Sequence, residues 1–171
     1  VTVDGFTIAN GYACLQAAGG GVFLSNSLVT LLNCRIASNR STTVPAGNGY
    51  GGGLGVIGCT NLLISNCVLS ANSAVTNGIG VGLYVVTSAG LCVDCTIANQ
   101  TSVGGNASGG GMWASGSAGR LTFRRCAITN NYSDRYGGGA ILLGAVTLDR
   151  CLIDNNSTRS ASGGIRVDSD S

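Results

Sequence analysis

Eight cysteines, seven aspartates and nine arginines carry most of the chemistry open to this 171-residue chain, which has no histidine, lysine or glutamate. Without histidine, neither a serine-histidine nor a cysteine-histidine relay can form. Cys92-Val-Asp-Cys95 has the C-x-x-C spacing associated with zinc or redox chemistry. No histidine and no second C-x-x-C completes a tetrahedral site, however. Residues three apart on a strand point to opposite faces, so the spacing predicts Cys92 outward and Cys95 inward. With Cys14 and Cys59, Cys92 falls outside the cysteine series described below. An outward Cys92 reads as an inert surface thiol before it reads as a cross-link between chains.

The carboxylates are equally scattered. Polysaccharide cleavage needs clustered acids, either to hold calcium or to act as an acid/base pair. Asp94, Asp149 and Asp154 fall at different stations of the pattern below, and Asp168 and Asp170 lie two apart in the C-terminal tail. No catalytic, cofactor-binding or metal-binding residue is therefore expected, and no cofactor. A net charge of +2 is too small to imply nucleic acid. Seven arginines lie between Arg120 and Arg166, interspersed with Asp134, Asp149 and Asp154, and predict a mixed solvated face.

What positions these residues is a repeat. Glycine clusters begin at Gly19, Gly51, Gly80, Gly109 and Gly137, separated by 32, 29, 29 and 28 residues. Cys34, Cys67, Cys95, Cys126 and Cys151 follow them, each with Ile or Leu two residues later. Asn39, Asn72, Asn99, Asn131 and Asn156 close the laps, and the N-terminal Phe6, Ile8 and Asn10 fit the same template. Self-similarity at this period marks a solenoid or a related array. The 29 glycines and the lack of a sustained 3.6-residue apolar period exclude helices, while apolar residues two apart recur in short β-type runs. The expected fold is all-β: one right-handed, single-stranded parallel β-helix domain over residues 1–171, with about six coils and three short strands per coil.

Each station then has a physical role. Glycine marks corners where backbones stack closely or take positive φ. The cysteines face inward as small apolar groups, and stacking at about 4.8 Å is longer than the roughly 3.8 Å Cβ separation of a disulfide, so they should be reduced. The asparagines Asn10, Asn39, Asn72, Asn99, Asn131 and Asn156 should form an amide ladder along one corner.

Gly137-Gly-Gly-Ala140-Ile141, Ile128-Thr-Asn-Asn131 and Leu69-Ser-Ala-Asn72 resemble the Gly-Gly-Ala-Ile and Phe-x-x-Asn motifs of bacterial β-helix surface proteins of the polymorphic outer-membrane-protein type. The resemblance covers nearly the whole chain. It implies an extracellular or cell-surface location and an adhesive or structural role.

One column stands apart from the core. Between inward positions lie Phe23, Gly55, Tyr84, Trp113, Ile141 and Arg166, predicting an outward stripe. An exposed apolar stripe suggests protein contact, with a carbohydrate platform on Tyr84 and Trp113 as the alternative, unless a loop folds over it. The sequons at Asn39, Asn99, Asn106, Asn131, Asn155 and Asn156 mostly coincide with corner asparagines, which favours a structural reading. The outward column of the middle strand, read as Thr30, Leu63, Cys92, Thr122 and Thr147, is too broken for ice binding. No apolar run is long enough to span a membrane, and no secretion signal opens the sequence. Neither end carries a recognisable cap, which predicts either a longer solenoid or end-to-end self-association.

Overall fold

The computed structural model describes residues 1–14, 18–42 and 49–169. Asp170 of the tail pair lies outside them. The strands pair in parallel, each residue stacked on its counterpart one coil away. Among the described residues no helix is long and apolar enough to cross a membrane.

Three main sheets wall the coil. The first carries two strands per coil. One of its columns runs through Val22–Ser25, Leu54–Ile57 and Leu83–Val86, the other through Thr2–Asp4, Thr30–Leu32, Leu62–Ser65 and Gly90–Val93. Both columns join Met112–Arg124, a single strand spanning the corner, which pairs with Ala140–Asp149. The register shifts between Gly116 and Leu121. The second sheet holds Thr7–Ala9, Arg35–Ala37, Val68–Ser70, Thr96–Ala98, Ala127–Thr129 and Leu152–Asp154. A third sheet follows the asparagine corner, from Tyr12–Ala13 to Ser157–Thr158.

The corners are set by left-handed residues. Five of six positions just before the cysteine or its counterpart are non-glycine with positive φ: Asn33, Asn66, Asp94, Arg125 and Arg150. A second such column, four residues after the cysteine, contains Asn10, Ser38, Ala71, Asn99, Asn130 and Asn155. Asparagine tolerates this conformation better than most side chains, which accounts for its abundance there.

Inside, apolar side chains form one continuous cluster, with buried serines and amides confined to positions such as Ser41, Asn72, Ser88 and Asn131. Leu31, Ile64 and Phe123 form one buried column, and Ile36, Leu69, Ile97 and Ile128 another. Each Leu- or Ile-sized side chain contributes about 1.5–3 kcal/mol on full burial. Burial thins at both ends, where Val3, Ile8, Val146 and Ile153 are only partly covered.

Cys92 belongs to this interior. It pairs with Ile64 and Phe123, is 1% exposed, and faces inward, not outward as the C-x-x-C spacing predicted. The reason is Asp94, whose φ of 54° turns the chain and breaks the strand alternation between Cys92 and Cys95. The outward middle-strand column is therefore Thr30, Leu63, Leu91, Thr122 and Thr147.

Candidate functional site: the side-chain ladders and the outward stripe

The amide ladder lines one corner. The side-chain oxygens of Asn39, Asn72, Gln100, Asn131 and Asn156 accept the main-chain N–H of the preceding coil at 2.8–3.0 Å, from Gly11, Asn39, Asn72, Gln100 and Asn131 in turn. Each side-chain NH2 donates to a carbonyl of the second sheet, those of Ile8, Ile36, Leu69, Ile97 and Ile128. Asn39, Asn72, Gln100 and Asn131 are at most 1% exposed, so these bonds satisfy polar groups that water cannot reach.

Asn10 and Asn99 are not rungs. Both are exposed, with φ of 59° and 58°, one residue before the ladder position. Gly11 and Gln100 occupy that position instead. The rungs fall five residues after the cysteine, or after Phe6 in the first coil; Asn10 and Asn99 fall four after. That constant spacing was the signal for Gln100. Matching residue type alone misses it.

The thiol ladder is polar as well as apolar. Cys34, Cys67, Cys95 and Cys126 are buried, Cys151 is half-buried, and all five are unbridged. Each sulfur lies within hydrogen-bond reach of two carbonyls. Cys126 Sγ donates toward Arg124 O at 3.4 Å and Cys92 O at 3.5 Å. Cys67 Sγ in turn accepts the N–H of Cys34 at 3.4 Å. Another corner repeats this with a hydroxyl: Ser88 Oγ donates to Val86 O at 2.8 Å and accepts the N–H of Cys59 at 3.0 Å. The cysteines therefore cap corner carbonyls as well as filling space. Hydrogen bonds to Cys126 and Cys67, with burial, raise the Cys95 pKa, while those same contacts draw Cys67 and Cys126 down to about 7. Burial raises Cys92 well above the ordinary thiol value.

The stripe keeps its predicted register: Phe23 pairs with Gly55, Gly55 with Tyr84, Tyr84 with Trp113, Trp113 with Ile141, and Ile141 with Arg166. It is not an open face. Phe23 is 51% exposed, but Ile141 is 1% exposed. The segment preceding each glycine cluster folds alongside as a fourth ladder, running Ala18, Tyr50, Ile79, Ser108, Tyr136 and Ala161. Tyr50 lies on Tyr84 with ring centroids 4.7 Å apart. Tyr136 holds the guanidinium of Arg166 at 4.3 Å and that of Arg135 at 4.7 Å. A Cβ on Gly55 would meet that of Ala18 at 2.8 Å, so glycine there admits the covering segment. No single residue type runs through this ladder, which hides it in the sequence.

Several charged groups are paired with opposite charge. Arg125 holds Asp94 in a two-pronged contact at 2.6 and 2.7 Å, Arg124 meets Asp149 at 3.0 Å, and Arg166 meets Asp168 at 2.7 Å. Asp134 accepts from Tyr132 Oη at 2.7 Å and from the Gly104 N–H at 2.9 Å. These contacts hold the carboxyls of Asp94 and Asp134 below the usual range, through Arg125 and Tyr132 respectively. Among the described residues no group of three or more acids or cysteines is placed to hold a metal ion.

Stacked parallel sheets, inward ladders and corner asparagines define a β-solenoid. Residues 71–171 match the family described as the right-handed beta helix region, and the chain belongs to that family. No curated protein and no solved structure matches the chain.

Proposed function

We propose that this solenoid is an extracellular structural module, joined at its open edges to further coils of the same design. The observation that carries this reading is the pair of end faces. Phe6 at one end is 61% exposed, and Leu152 and Val167 at the other are 58% and 75% exposed. The strands beside Phe6, Thr2–Asp4 and Thr7–Ala9, and those holding Leu152 and Val167 lack a neighbour on one side among the described residues. Open parallel edges of this kind invite strand addition. Extending the register by one coil would seat Val22 on Ile165, Leu24 on Val167, Val3 on Leu148 and Ile8 on Ile153, all apolar on apolar, with Phe23 against Arg166. The added coils come either from adjacent sequence of the same polypeptide or from a second copy stacked head to tail. In the second case the contact is heterologous and propagates into a filament. Gly11 offers no amide to Asn156, so the joint lacks one rung and is weaker than an internal coil.

Electron microscopy of the purified chain over a range of concentrations tests the second copy. Filaments that vanish when Phe6 or Val167 is changed to Asp support it; a monodisperse monomer at high concentration removes it. The aromatic stripe gives a carbohydrate platform less support, because Tyr50 packs on Tyr84 and both Tyr84 and Trp113 are half-buried. Retention of the chain on immobilised polysaccharide, lost in Trp113→Ala, would reverse that judgement.

A further inference from the structure

Six asparagines stand in Asn-X-Ser/Thr sequons, and the fold treats them differently. Asn39 and Asn131 are 1% exposed and form rungs of the amide ladder, with both ends of the side chain engaged. Asn156 is a rung too. A sugar on any of these would have to displace a neighbouring coil. Asn155 is exposed, but its amide nitrogen donates to Asn130. Asn106 is exposed, but its side-chain oxygen accepts from Arg135 at 2.7 Å, and its sequon serine, Ser108, is buried with the hydroxyl directed at Asn106 O.

Asn99 shares the exposed station and positive φ of Asn155 but differs in its amide. Asn99 lies one residue before the rung Gln100, outward at the corner and exposed, with φ of 58°. Its amide has no hydrogen-bond partner among the described residues. Thr101, the hydroxyl residue of the sequon, is also exposed, while its main-chain N–H is held by Asn72 O at 3.1 Å. Acceptor amide and hydroxyl are both accessible on a fixed backbone.

We propose that Asn99 is a glycosylation site, taking a sugar from a nucleotide-activated donor. The Asn99 amide nitrogen forms a bond to the anomeric carbon, the bond from that carbon to the diphosphate oxygen breaks, and the nucleoside diphosphate leaves with the electron pair. The amide proton passes to a base of the transferase. The sugar projects from the corner between the second and third sheets and disturbs no ladder. This assignment stands apart from the end-to-end reading, since it concerns the flank of the rod.

The test incubates the folded, full chain with UDP-glucose and a soluble asparagine glucosyltransferase that recognises Asn-X-Ser/Thr, followed by intact mass and site mapping. The expected product carries one hexose, on Asn99. Asn99→Gln and, separately, Thr101→Ala should each abolish it while leaving the circular dichroism spectrum unchanged; Thr101→Ala retains the amide and so isolates the sequon. A folded chain that takes no hexose overturns the assignment, as does hexose mapped chiefly to Asn106 or Asn155.

Discussion

Gln100 Oε1 accepts the main-chain N–H of Asn72 at 2.9 Å, across a separation of 28 residues. The contact keeps an asparagine-type ladder continuous where the rung station itself holds no asparagine. Length compensates for type: the glutamine NH2 still reaches Leu69 O at 2.7 Å, as Asn131 reaches Ile97 O at 3.0 Å one coil away. The station requires a primary amide at the correct backbone place, and either side chain provides it.

Asn131→Leu should therefore destabilise the protein. It removes the acceptor for the buried Gln100 N–H and the donors to Ile97 O and Asn156 Oδ1. Buried groups left unsatisfied cost about 1–3 kcal/mol. Asn99→Gly should change stability by no more than about 0.5 kcal/mol, because that side chain is exposed and its φ suits glycine. Urea unfolding of the two variants against the parent measures both. Equal losses would mean that Asn99 is a rung after all.

Glycine clusters make a second contrast. A Cβ at Gly110 would lie 2.4 Å from Tyr132 O and 2.6 Å from Gly138 O, both main-chain atoms that cannot swing aside. Gly110→Ala should cost at least about 1–3 kcal/mol, the range for overpacked interiors. Gly5 has φ of 73°, and a Cβ added there would meet nothing within 4 Å, so Gly5→Ala bears only the left-handed penalty of about 1–2 kcal/mol. If thermal melts ranked Gly5→Ala as the more damaging, the corner glycines would be present for φ alone.

The repeat, the parallel stacking and the inward cysteine column were legible in the sequence because each is a residue type recurring at a fixed station. Residue type and strand alternation misplace Asn99, Asn10 and Cys92 for one reason: a left-handed corner residue shifts both counts by one. Counting from the cysteine puts Leu31, Ile64, Cys92 and Phe123 three residues before it in every coil, which would have turned Cys92 inward. The fourth ladder was illegible for a different reason. Ala18, Tyr50, Ile79, Ser108 and Tyr136 are held by main-chain bridges, and nothing in their side chains announces a common place.

Thiol accessibility follows from these positions. Cys14 is exposed, Cys151 half-buried, and the other six are buried. In the folded protein a thiol reagent should modify Cys14 at once and Cys151 slowly, and reach the remaining six only after unfolding. Cys126→Ser should be tolerated better than Cys126→Val, since a hydroxyl can keep the contacts to Arg124 O and Cys92 O as Ser88 does at its own corner. Rapid native modification of Cys67 or Cys95 would contradict the packed interior.

Tyr84 supplies the pH dependence. Burial, and then the neighbouring Tyr50, push its phenol from 10.0 to about 12. A group whose pKa is higher folded than unfolded favours the fold in its protonated form. Its contribution is complete below pH 10 and is lost as pH rises from 10 toward 12. Two units correspond to about 2.7 kcal/mol at most, and partial exposure of the ring brings the expected loss to the order of 1 kcal/mol. Cys92, also raised by burial, loses stability in the same direction from about pH 9 upward, so the parent curve alone cannot isolate the tyrosine. The comparison with Tyr84→Phe can. The variant should lose less stability than the parent between pH 10 and 12 in denaturant titrations. Parallel curves would show that Tyr84 titrates as a solvated phenol and that the Tyr50 contact does not shield it.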